Sequence, residues 1–303
     1  MNQSFYDKLT SVIAKERVYV DEPMSRHTTF RVGGPADFFV TPKAKEEVRD
    51  VIRICKEAGM PYYIIGNGSN LLVSDQGYEG VIIQIYKQMN RVEITENEIH
   101  AQAGALLSVI ANRAMEAELT GFEFAAGIPG TLGGACVMNA GAYGGEMKDV
   151  LETVTVLTRD GDVKTLTKDE LELGYRTSVI AKKDYIALSA VIRLENGKKE
   201  EIKAVMDDLK EKRITKQPLE YPSAGSTFKR PEGYFAGKLI QDAGLRGFQV
   251  GGAQVSEKHC GFVVNKDQAT AADVMNLMNQ VSDKVYEMSG VRLEPEVKRL
   301  GVF

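Results

Sequence analysis

The run Ala126-Gly-Ile-Pro-Gly-Thr-Leu-Gly-Gly-Ala-Cys-Val-Met-Asn-Ala-Gly-Ala142 carries glycine at 127, 130, 133, 134 and 141 and not one charged side chain. Glycine lacks Cβ, so it reaches left-handed conformations and lets another group come close to the main chain. With Pro129 fixing one φ, the run presents peptide N–H donors, which can hold a diphosphate through backbone dipoles without a lysine. A glycine-rich structural loop has the same composition, so the run alone leaves both readings open. A second cluster lies upstream. Pro61-Tyr-Tyr-Ile-Ile-Gly-Asn-Gly-Ser-Asn-Leu-Leu-Val73 reads as apolar strand, polar glycine turn and apolar strand. Leu71 stands where a dinucleotide fingerprint would place its third glycine, and no phosphate loop ending in Gly-Lys-Ser/Thr occurs. A diphosphate ligand would be held here by another architecture.

The rest of the chain narrows the class. Its 303 residues suffice for two or three domains, each with its own core. A net charge of −4 without a lysine or arginine block argues against nucleic acid as partner, since such proteins neutralise many phosphates with a basic face. Small anions need only a local positive patch. Cys55, Cys136 and Cys260 are sparse, distant and odd in number, which fits a reducing cytoplasm and buried structural thiols, with Cys136 a wall of the ligand site. The N-terminus has no signal-peptide pattern, and no apolar run approaches the ~20 residues that span a bilayer. The expectation is a cytoplasmic protein with no stable membrane association. His27, His100 and His259 show no metal-ligand spacing, so no metal is expected. The same three histidines leave a serine nucleophile without its elbow context, which disfavours hydrolysis.

Patterning divides the chain into residues 1–87, 88–198 and 199–303. The first part has an amphipathic helix over 5–17 and another over 44–58, its face made by Val48, Val51, Ile52 and Cys55. In the second, period-two alternation over 91–102 predicts a hairpin, a helix spans 106–118, and strands 153–158 and 162–167 flank Asp160-Gly161. A further strand covers 185–194. The third part opens with a helix over 199–213 whose buried stripe is Ile202, Val205, Met206 and Leu209. A proline-rich loop, a strand over 260–265 and a helix over 271–288 follow.

Five separated segments occur in an order that resembles one family: the two glycine clusters, Gly174-Tyr-Arg-Thr-Ser178, Ser223-Ala-Gly-Ser-Thr-Phe-Lys229 and Leu293-Glu-Pro-Glu-Val297. The chain resembles UDP-N-acetylenolpyruvoylglucosamine reductase, also called UDP-N-acetylmuramate dehydrogenase, from about His27 to Val297. The resemblance implies an α+β protein with a two-subdomain FAD-binding fold of the vanillyl-alcohol-oxidase/PCMH type and a C-terminal α+β substrate-binding domain. It implies FAD as cofactor, NADPH as hydride donor and UDP-N-acetylglucosamine-enolpyruvate as substrate in peptidoglycan precursor synthesis. Hydride would pass from NADPH through FAD to C3 of the enolpyruvyl group. The two glycine clusters become the cofactor site: Ile65, Gly66, Asn67, Gly68, Ser69 and Asn70, then Gly127, Ile128, Pro129, Gly130, Thr131, Gly133, Gly134, Asn139, Gly141 and Ala142, together with Arg213.

Three residues take catalytic roles by the same resemblance. Arg176, otherwise read as a surface arginine, would hold the substrate carboxylate, for which a permanently cationic fork is suited. Ser226, otherwise an ordinary loop serine, would protonate C2. A hydroxyl is a weak acid, so this requires a strongly basic acceptor such as an enolate. Glu296 rather than Glu294 matches the family's catalytic glutamate, although strand alternation places both on one face. Lys216, Gly225, Tyr234, Lys238 and His259 are the expected substrate contacts. The connection Glu195-Asn-Gly-Lys-Lys199 is too short for the substrate-covering tyrosine loop of the family's longer form, so the chain resembles the shorter form. An oxidase sharing the FAD-binding fold and a non-catalytic UDP-sugar-binding protein are the rival readings. The first lacks a use for the Ser226 and Glu296 segments. The second would sit better with their loss. A monomer or weak oligomer is expected.

Overall fold

The computed structural model describes residues 2–303. Two compact units emerge: one from residues up to 19, 38–67 and 81–212, the other from 20–37, 68–80 and 213–303. Both interleave segments from distant parts of the chain.

In the first unit the antiparallel sheet has the order Val163–Thr167, Leu151–Leu157, Ile186–Arg193, Glu98–Gln102, Val92–Thr95. Its two hairpins are those expected, one from period-two patterning over 91–102 and one from the Asp160-Gly161 turn, with Glu96 at φ 54 in the tighter turn. Val154, Val156, Ile192 and Ile99 are fully or almost fully buried on this sheet. The helix Leu107–Glu116 buries Leu107, Ile110, Ala111 and Ala114, and the short helix Leu132–Met138 packs on the strand Ile186–Arg193. Tyr62–Ile65 pairs in parallel with the strand ending at Gln84, in register Tyr62 to Val81 through Ile65 to Gln84. The helix Lys45–Glu57 buries Val48, Val51, Ile52 and Cys55, as its periodicity predicts.

The second unit is built on the antiparallel order Ser223–Ser226, Phe262–Asn265, Ala253–Val255, Gln249–Val250. The helix Ala271–Ser289 packs on this sheet with Val274, Leu277, Met278, Val281 and Val285 buried. A Thr270 capping box starts it and Gly290, at φ 70, ends it. Leu71–Val73 pairs in parallel with Lys298–Leu300, joining an early segment to the chain's end.

Two helices differ from the pattern reading. The first runs only from Gln3 to Thr10, with a separate turn at Lys15–Arg17. Thr10 and Ser11 hydroxyls bond back to the Tyr6, Asp7 and Lys8 carbonyls, offering the backbone an alternative to continuing the helix. The helix over Lys199–Lys216 exists but buries only Ile202, and Val205 is 47% exposed. Its pairs Lys203–Asp207 and Asp208–Lys212 help support a wet helix. A periodic stripe says which side chains share a face, not that something covers it. Between Arg193 and this helix stands only the two-residue strand Glu195–Asn196 and its short exit, which leaves no room for the tyrosine loop.

Candidate active site

In the first unit the two glycine clusters meet. Asn67 donates its side-chain N–H to the Pro129 carbonyl at 2.7 Å. A Cβ on Gly66 would lie 2.2 Å from Thr131 Oγ1, so only glycine admits this approach. Gly133 and Gly141 are likewise packed, against Ala103 and against Gly145 and Glu146. Gly127 and Gly134 are exposed, and the nearest atom to a Cβ at Gly134 is 3.8 Å away. The N–H groups of Leu132 and Gly133 are taken up by the Ala105 and Ala103 carbonyls, so only part of the run offers donors outward.

The same run ends at Asn139, which closes the helix Leu132–Met138 in the left-handed region at φ 46. Its side chain is buried and reaches Gly174, the first residue of the turn that carries Arg176. That turn is tight: Gly174 and Thr177 exchange both backbone hydrogen bonds, leaving Tyr175 and Arg176 as a two-residue loop. Arg176 sits at φ 55, a conformation uncommon for a non-glycine residue, and its guanidinium lies 5.5 Å from the Tyr175 ring centroid.

The second unit assembles the other candidates. The strand Ser223–Ser226 pairs with Phe262–Asn265 through a register shift between Ser223 and Ser226, where Gly225 adopts φ 76. Such a bulge re-aims the following side chain, and Ser226 is exposed while Thr227 is completely buried. Thr227 joins three segments. Its N–H donates to the Gly261 carbonyl at 2.9 Å, its hydroxyl accepts the Val263 N–H at 2.9 Å, and its carbonyl accepts the Glu296 N–H at 2.8 Å. Ser226 and Glu296 thus leave neighbouring backbones. Glu296 is 9% exposed, whereas Glu294 is open to solvent and paired with Lys229. The segment is not a regular strand, so strand alternation does not apply. Asn70 donates to the Glu296 carbonyl at 3.3 Å, and the Lys298 N–H donates to the Asn70 carbonyl.

His259 lies beside this patch. Its Nδ1 accepts the Gly261 N–H at 3.1 Å, which leaves Nε2 to carry the proton. Burial pushes its pKa down, a hydrogen bond to its own backbone opposes this and Arg246 adds to the lowering, so the charged ring is disfavoured. Lys238 is paired with Asp242 on its own helix, and Tyr234 is 48% exposed. Lys216 is exposed in the last turn of Lys199–Lys216, near the half-buried Arg213. Burial pushes the Cys55 and Cys136 thiols up to about 12, which makes them packing groups rather than nucleophiles. Sequence reading missed Thr227, Glu146, Ser178 and Lys258. Lys258 donates to the Ile214 carbonyl at 2.6 Å, holding the end of the long helix next to the His259 segment. Ser178 and Thr227 lie inside two of the quoted segments, but nothing local marks their bonding, because each partner is distant in the chain.

FAD fits these residues. In the turn over 66–70, the Gly66, Gly68 and Asn70 carbonyls accept bonds from Gln84, Thr29 and Lys298. The turn therefore directs acceptors into the protein, leaving its donors for a ligand. Asn70 Oδ1 and Thr29 Oγ1, which flank Gly68, are buried without a hydrogen-bond partner, and buried polar atoms of this kind call for one.

Residues 36–167 match a family model described as FAD binding domain. A glucose dehydrogenase, Phl p 4.0202, shares the fold at a TM-score of 0.51 with 13% identity, over 64% of this chain and 44% of that one. Fold and site together define an α+β FAD-binding flavoprotein with a C-terminal α+β domain. Residues 217–300 match the model described as UDP-N-acetylenolpyruvoylglucosamine reductase, C-terminal domain. The UDP-N-acetylenolpyruvoylglucosamine reductase of Agathobacter rectalis is 56% identical over the full length of both chains. The crystal structure of UDP-N-acetylenolpyruvylglucosamine reductase from Thermus caldophilus superposes at a TM-score of 0.80 with 36% identity, covering 94% of this chain and 98% of that one. The chain belongs to the UDP-N-acetylenolpyruvoylglucosamine reductase family.

Proposed function

We propose that the protein reduces the enolpyruvyl group of UDP-N-acetylglucosamine-enolpyruvate to give UDP-N-acetylmuramate, with NADPH as donor, in peptidoglycan precursor synthesis. Bound FAD supplies the hydride chemistry between NADPH and C3 of the enolpyruvyl group. The backbone donors over 66–70 and 127–134 hold the cofactor, and Arg213 adds a cation. Arg176 binds the substrate carboxylate and stabilises the negative charge that spreads onto it as C2 becomes carbanionic. Ser226 gives its hydroxyl proton to C2, which completes addition of one hydride and one proton across the double bond. Glu296 acts beside it from the same clasp, helping Arg176 polarise the carboxylate. Gly225, Tyr234, Lys216, Lys238 and His259 line the path of the sugar nucleotide, with neutral His259 offering an Nε2–H donor.

The observation that supports these roles is the Thr227 clasp, which ties the backbone next to Ser226 to that of Glu296, a buried residue, while Glu294 lies in solvent. We further propose a cytoplasmic monomer or weak oligomer that binds neither nucleic acid nor membrane, with working parts 1–87, 88–198 and 199–303. No helix among the described residues is long and apolar enough to cross a membrane. An anaerobic visible spectrum tests the activity. The flavin band should bleach with NADPH and return on adding the enolpyruvyl sugar nucleotide. Return only with oxygen would replace this reading by the oxidase one, and absence of any bindable flavin would remove both.

A further inference from the structure

We infer that Asn139 is a positioning residue for Arg176, acting through the carbonyl of Gly174; the inference rests on the proposed carboxylate-binding role of Arg176. The glycine run leads the eye to Asn139 as a cofactor contact, but its side chain is spent inside the protein. Nδ2 donates to Glu146 Oε2 at 2.6 Å and to the Gly174 carbonyl at 3.2 Å, and Oδ1 accepts the Lys148 N–H at 2.9 Å. The residue is 2% exposed. Closing the helix requires only a residue tolerant of φ 46, and glycine does that without a side chain. The amide must therefore serve something else, and all three of its bonds reach beyond the helix it caps.

The Arg176 turn needs such an anchor. Its backbone is closed by the Gly174–Thr177 exchange, and so short a hairpin is marginal in water by itself. Arg176 at φ 55 is a strained position, which persists only where the surroundings over-determine it. Asn139 supplies one fixed point before Arg176, and Ser178 supplies another after it by donating to the Val137 carbonyl at 2.7 Å. Both fixed points come from the helix Leu132–Met138 and its cap. Glu146 is in turn held by a capping box with Asp149 and by Lys148, so the chain of contacts ends on rigid backbone. Arg176 is thereby aimed by the same element that carries the glycine run.

The test uses the FAD-loaded enzyme with Asn139→Gly, which keeps the left-handed backbone and removes the amide. Flavin content and the rate of bleaching by NADPH should stay within about twofold of wild type. Reoxidation by the enolpyruvyl sugar nucleotide should slow roughly tenfold or more. Equilibrium binding of that substrate to oxidised enzyme, read by calorimetry, should weaken by a similar factor. The double variant Asn139→Gly/Arg176→Ala should be no worse than Arg176→Ala alone, because the two act on one interaction. Ser178→Ala, the second anchor, should slow the same half-reaction and gives the readout if Asn139→Gly fails to accumulate. Loss of flavin, equal slowing of both half-reactions, or additive effects would overturn the inference and make Asn139 a cofactor or purely structural residue. An Arg176→Ala enzyme with unimpaired reoxidation and substrate binding would instead remove the role of Arg176, and this inference with it.

Discussion

The arginine turn and the Ser226–Glu296 clasp hold the side chains proposed for catalysis by opposite means. Arg176 sits on an irregular turn tethered from outside by amide and hydroxyl side chains, Asn139 and Ser178. Ser226 and Glu296 sit on backbones that hydrogen-bond directly through the buried Thr227. A tethered turn depends on a few side chains and can be loosened without unfolding its unit. A backbone clasp is part of the sheet edge and core, so disturbing it costs stability as well as activity. This follows from where the bonds lie: a buried N–H left unpaired costs about 1–3 kcal/mol, whereas losing a side-chain tether leaves the surrounding packing in place.

The largest effects should come from the groups proposed to act on the substrate. Ser226→Ala should slow reoxidation by the enolpyruvyl substrate by roughly 10²–10⁴-fold, the usual range for removing a positioned proton donor, with NADPH bleaching unchanged in stopped flow. Arg176→Ala should slow the same step by about 10²–10³-fold, as when one charge-stabilising group is lost, and should also weaken substrate binding. Next comes the clasp itself. Thr227→Val leaves the Val263 N–H without its acceptor and should destabilise the protein by about 1–3 kcal/mol in urea unfolding, while Thr227→Ser should recover most of it. Equal stability of the valine and serine variants would show that backbone pairing alone holds the clasp.

A smaller effect concerns His259. Its folded pKa lies below the ordinary 6.5 because burial disfavours the charged ring. The unfolded chain therefore takes up the proton first, so stability falls as pH drops from about 6.5 toward the lowered folded value. The urea midpoint should fall more from pH 7 to pH 5 in wild type than in His259→Gln, and parallel curves would rule this out. The smallest effect should be at Glu294→Gln. That group is exposed and paired only with Lys229, so stability should change by less than about 0.5 kcal/mol and turnover by less than twofold. The contrast with Glu296→Gln separates two glutamates that are two residues apart.

Much of this was legible in the chain. Long periodic elements such as Lys45–Glu57 and Ala271–Ser289 declare themselves because one buried face repeats every three or four residues. The hairpins at 92–102 and 151–167 declare themselves because alternation and turn residues are local properties. Both glycine clusters could be located, and the motifs containing Arg176, Ser226 and Glu296 could be matched. The long helix over Lys199–Lys216 marks the limit, since of the stripe that the sequence paints apolar only Ile202 is buried and Val205 is exposed.

What the sequence by itself determined was therefore the long periodic helices, the two hairpins, the glycine-rich runs and the family they resemble, because these depend on neighbours within a few residues. Tertiary structure alone decided that Glu296 is buried and Glu294 is not. It also decided that Thr227 joins three segments, and that Asn139 points its amide at Gly174 rather than outward. Each of those facts rests on a hydrogen bond or packing contact between residues many positions apart. A bond of that kind leaves no periodic trace in either partner, because its existence depends on where the rest of the chain has been folded.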